Sequence, residues 1–155
     1  MNPYLLIVLV HIVGLTLVAG TTLIAFIANR RFWKLYPDNG QQALGIVALT
    51  KKFSVVIGIG MVLLISSGVT LMVQTHGVYA EQLWFRVKMI LVLLTIVNAV
   101  VGRSLEKRVN IALAETQGSA LSARALTLKS RVQVFFVVQL VLFFFIFALG
   151  VLKIN

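Results

Sequence analysis

The chain has 155 residues, 60% of them hydrophobic and 12% charged, with a formal net charge of +10 and a mean hydropathy of +1.03. That composition leaves too few polar residues to cover a water-soluble domain of this size, and the absence of cysteine excludes disulfides, thiolate metal sites and cysteine catalysis. The positive charge does not point to nucleic acid, because it is concentrated in two connections between apolar runs.

Four runs approach the ~20 residues that a helix needs to cross a bilayer: residues 3–28, 53–75, 83–102 and 132–152. The expected fold is therefore all-α, one integral membrane four-helix bundle formed by residues 1–155. "MNPY" lacks the basic start of a cleaved signal, and the first run is too long for one, so the first helix is expected to remain. In this run His11 recurs at helical spacing with Tyr4, Gly14, Val18, Thr21, Thr22 and Ala25, a face of mostly small or polar residues. Small residues let membrane helices approach closely, so this face is expected to point into the bundle.

The first connection carries Arg30, Arg31, Lys34, Lys51 and Lys52, with a turn signalled by "LYPDNG" and a helical lead-in, "QQALGIVALTKK", before the second span. On that span Gly60, Ser67, Thr70 and Gln74 share a stripe. The next connection, "THGVYAEQ", has no basic residue besides His76, expected to be a solvated loop histidine able to lean over a pocket mouth. Trp84, Lys88, Thr95, Asn98 and Gly102 fall near one stripe of the third span. The last connection carries Arg103, Lys107, Arg108, Arg124, Lys129 and Arg131 and reads as a helical hairpin, with Gly118 ending one helix and Ser119 capping the next. On the fourth span Phe136, Gln139, Phe143 and Gly150 line up.

Both basic connections lie on one side of a four-span chain, which the positive-inside rule assigns to the cytoplasm, with both termini outside. The expected setting is a bacterial inner membrane, with anionic lipid at the cytoplasmic face. A helical rise of ~1.5 Å per residue puts His11 roughly 12 Å from the outer end of its span and Lys88 about 6–8 Å from the end of its own. His11, Ser67, Thr70, Gln74 and Lys88 are thus expected to share an outward-opening pocket. Asn98 and Gln139 match in depth at the inner third and are expected to hydrogen-bond.

A membrane imidazole can serve as a haem ligand, a proton relay or a metal ligand. Copper transport favours clustered Met and Cys, whereas Met1, Met61, Met72 and Met89 are scattered. None of the four acidic residues lies in a span, which removes the usual carboxylate of a proton relay.

The segment "YLLIVLVHI", with "AG" soon after, resembles the first helix of HemJ-type protoporphyrinogen oxidases. "LWFRVKMILVLLTIVNAVVGR" is similar to that family's third helix, and "SSGVTLM" to the end of its second. Copper-resistance D domains share the four-helix outline. The resemblance implies haem or another tetrapyrrole as cofactor, with His11 as iron ligand and Lys88 as the matching third-helix lysine. This chain departs from the pattern at Val18, at "IANRRFW" and at Asn98, near which the family has a histidine. Three functional classes follow: a haem- or redox-cofactor-binding membrane protein, a non-enzymatic membrane subunit or homo-oligomer packed through its polar stripes, and a small-solute or ion carrier.

Overall fold

A computed structural model describes residues 3–75, 81–115 and 123–152. The described residues form five helices: α1 (Pro3–Leu35), α2 (Gly40–Thr50), α3 (Phe53–Gln74), α4 (Leu83–Glu115) and α5 (Ala123–Leu152). Four of the helical stretches are long and apolar enough to cross a membrane, α2 and α3 counting as one. His76, Gly118 and Ser119 lie outside the described residues.

The helices outrun the apolar runs at the basic end. α1 continues through Arg30, Arg31 and Lys34 to Leu35, and α4 runs on to Glu115. Nothing in these segments breaks a helix, so hydropathy marks where lipid ends and not where the helix ends. The turn after α1 is set by Pro37, and the amides of Asp38 and Asn39 both donate to the Leu35 carbonyl. Asn39 then caps α2, its side-chain oxygen accepting from the Gln42 amide at 3.1 Å. Lys51 and Lys52 keep helical dihedrals, so α2 passes into α3 with little interruption.

Packing is organised by pairs. α1 lies along α3, α4 lies along α5, and contact between α1 and α5 joins the two pairs; α2 folds back onto α1. The α1/α3 seam is built on glycine: a Cβ on Gly14 would meet the Leu64 amide nitrogen at 3.0 Å and the Gly60 carbonyl at 3.1 Å. In the α4/α5 seam the Phe135 ring occupies the space that a side chain on Gly102 would need. Asn98 Nδ2 donates to Gln139 Oε1 at 2.7 Å and also faces the Phe135 carbonyl at 3.2 Å, the link between these helices expected from sequence. Phe26 and Phe136, with ring centroids 6.0 Å apart, connect α1 to α5.

The interior is more polar than the exterior. Buried positions include Gly14, Thr21, Thr22, Gly60, Ser67, Thr95 and Gln139, whereas Leu93 and Phe144 are 62% and 66% exposed. In water this arrangement would leave the main apolar surface unburied; in hydrocarbon it costs nothing, because lipid tails solvate leucine as well as a core does. Exposed hydroxyls are neutralised within their own helices: Thr16 donates to the Ile12 carbonyl, Ser66 to Leu63 and Thr70 to Ser66.

At the basic end two apolar clusters close the bundle. Leu105, Ala112, Leu128, Val132 and Phe136 form one, with Ala25, Phe26, Val109 and Phe135 around it. Phe32, Trp33 and Ala43 form the other, fixing α2 against α1.

Candidate functional site

Antiparallel packing sets His11 on α1, Ser67 on α3, Lys88 on α4 and Gly150 on α5 at one level near the end of the bundle remote from α2. His11 Nδ1 and Ser67 Oγ are 2.9 Å apart. The serine hydroxyl has one proton, and it points to the Leu63 carbonyl one turn back, with the Leu64 carbonyl at 3.2 Å as a second acceptor. The oxygen can then only accept from the ring. With the serine proton directed to the backbone, the ring donates from Nδ1 and Nε2 keeps a lone pair free of the serine; the ring also lies within hydrogen-bond reach of the Leu64 backbone.

Glycines stand beside both groups. A Cβ on Gly68 would stand 3.6 Å from His11 Cε1, so the Nδ1–Cε1 edge of the ring lies against the α3 backbone. A Cβ on Gly150 would stand 3.9 Å from Lys88 Nζ. The Lys88 stem is half-buried, and its ammonium lies close enough for its charge to act on the His11 ring. One imidazole and one ammonium therefore lie within electrostatic reach of each other at this end of the bundle, with a hydroxyl beside the imidazole.

Thr70 and Gln74, expected in the same pocket, do not join it. Thr70 is rotated off the Ser67 stripe, is exposed, and gives its hydroxyl proton to Ser66. Gln74 lies on the Ser67 face but about 10 Å further along the helix, and its side chain is exposed. Gly68 was not singled out by sequence; its signal was its place beside Ser67 in "SSGVT". Gly150 was visible as a small residue in the α5 stripe.

Below this group the lane continues through Thr21, Thr22 and Thr95 to the Asn98–Gln139 pair. Thr95 is buried and its hydroxyl has no partner. Among the described residues the lane has no carboxylate, and no three His, Cys, Asp or Glu side chains gather into a metal site.

A lane of small and polar side chains among buried apolar ones, an apolar outer surface and four helices long and apolar enough to span define an integral membrane four-helix bundle. The family model described as "Predicted integral membrane protein (DUF2269)" matches residues 5–154, and the chain belongs to that family. This match supports a membrane family, without the HemJ-type or copper-resistance D-like assignment that the first and third helices suggested. No curated protein matches the chain. No solved structure matches it either.

Proposed function

We propose that this membrane protein binds a tetrapyrrole, haem in the first instance, at the end of the bundle where His11 and Lys88 meet. The observation that carries the reading is the His11–Ser67 hydrogen bond: it anchors Nδ1 and leaves Nε2 as a donor to a metal, the arrangement in which a ligating histidine is held by a partner on its other nitrogen. The donor set favours a metal that brings most of its own ligands. A bare ion needs three or four protein groups, whereas iron in a porphyrin already has four nitrogens and needs one axial imidazole. Lys88 would pair with a propionate. Bound haem would supply one-electron chemistry; the chain's part is to hold it, set the tautomer of its ligand and surround it with apolar helices.

We place the bundle in a bacterial inner membrane with its basic end in the cytoplasm. Arg30, Arg31, Lys34, Lys51, Lys52, Arg103, Lys107, Arg108, Lys129 and Arg131 support this, since all belong to the end of the bundle opposite His11.

Haemin added to protein purified in mild detergent is expected to give a Soret band that saturates at one haem per chain. His11→Ala should abolish the band and Lys88→Met should weaken binding about tenfold, the scale of one lost charge pair in a partly buried site. A band that persists unchanged in His11→Ala would overturn the reading. Protein that neither carries nor takes up haem would favour a packing or oligomerisation role for the polar lane.

A further inference from the structure

A second polar cluster lies at the basic end, about 20 Å along α3 from Ser67 by helical rise. Ser54 and Val55 from the start of α3, and Arg103, Glu106, Lys107 and Asn110 from α4, line a notch of about 420 Å³. The four α4 residues follow i, i+3, i+4, i+7 spacing, so they form one face of that helix. α3 is held by α1 and α2, and α4 by α5, so no packed α3/α4 interface closes the gap between them. The notch is therefore the polar end of a seam that opens toward lipid, and Val55 at its edge is 64% exposed.

Its chemistry is mixed but unequal. Arg103 and Lys107 bring two cations against the single carboxylate of Glu106, which lies within electrostatic reach of Arg103. Asn110 adds an amide. Ser54 gives its proton to the Lys51 carbonyl, so its oxygen can accept. A bare phosphate would be drawn by the cations and repelled by Glu106. A phosphodiester whose substituent carries hydroxyls would satisfy all of them, its anionic oxygens on Arg103 and Lys107 and its hydroxyls on Glu106, Asn110 and Ser54.

We propose that this notch is a binding site for the headgroup of an anionic glycerophospholipid of the phosphoglycerol type, with the acyl chains running along the α3/α4 seam past Val55. Surface attraction alone would depend on how many basic residues the cytoplasmic end carries; a built site depends on which ones.

The test uses the full-length protein in detergent, titrated with phosphatidylglycerol and followed by native mass spectrometry and thermal unfolding. One lipid is expected to be retained per chain and to raise the unfolding midpoint. Arg103→Gln with Lys107→Gln should weaken binding about tenfold or more, while Lys51→Gln with Lys52→Gln, an equal loss of charge, should change it less than about twofold. Asn110→Asp, which leaves both cations in place, should act in the same direction as the first pair and serves if that pair does not fold. Equal weakening by the Arg103/Lys107 and the Lys51/Lys52 pairs would overturn the proposal in favour of diffuse attraction. Equal stabilisation by phosphatidylcholine, or by inorganic phosphate at the same concentration, would also overturn it.

Discussion

Gly60→Leu is expected to separate α1 from α3 and to be the most damaging single change in the spans. A Cβ at Gly60 would stand 2.7 Å from the Val18 methyl and 3.1 Å from the Gly14 carbonyl. The Val18 side chain is buried and β-branched, so it has few other rotamers, and the carbonyl is backbone. Over-packing of this kind costs about 1–3 kcal/mol or more when backbone must move, and here it also displaces the helix that presents His11. The matched control is Gly20→Leu: a Cβ there meets nothing within 4 Å. Thermal unfolding in detergent should show a clearly lowered midpoint for Gly60→Leu and none for Gly20→Leu. Equal midpoints would show that the α1/α3 seam is not held by glycine contact.

The second large effect is expected at the opposite end. Trp33 is 3% exposed and packs edge-on against Phe32, with ring centroids 5.1 Å apart, beside Ala43, which is 0% exposed. Trp33→Ala removes the largest member of the cluster that holds α2, a change of about 3–5 kcal/mol for a buried aromatic. Because the chain lacks cysteine, Ala43→Cys gives a single thiol for labelling. That thiol should resist maleimide in the parent protein and react readily once Trp33→Ala is added. Trp33→Phe should keep most of the protection. The buried indole Nε1 has no hydrogen-bond partner, so phenylalanine removes an unsatisfied donor along with part of the ring.

Much of this architecture is legible in the residues because hydrocarbon reverses the usual pattern. On α1 the small and polar positions Gly14, Val18, Thr21 and Thr22 mark the buried face, and the leucines and isoleucines mark the lipid face. The same logic pairs Asn98 with Gln139, since two amides at matching depth have few other partners. It reaches His11, Ser67 and Lys88 through stripe and depth together. It fails for Gln74, because periodicity fixes the face of a helix and not how far along that face the site extends. It fails for Thr70, because a hydroxyl that bonds its own helix can face lipid without a partner elsewhere. The notch at Arg103 and Lys107 was hidden for a different reason. Basic residues after a span carry a topological signal, and only the absence of an α3/α4 interface shows that two of them line a space.

The tautomer of His11 is the point on which the site depends. Nitrogen NMR of isotope-labelled histidine, recorded on protein with His76→Asn so that one imidazole remains, reads it directly. A neutral ring with the proton on Nδ1 and a bare Nε2 is expected, and the Nδ1 resonance should move in Ser67→Ala as that hydrogen bond is lost. A proton on Nε2, a doubly protonated ring, or a spectrum indifferent to Ser67→Ala would contradict this account.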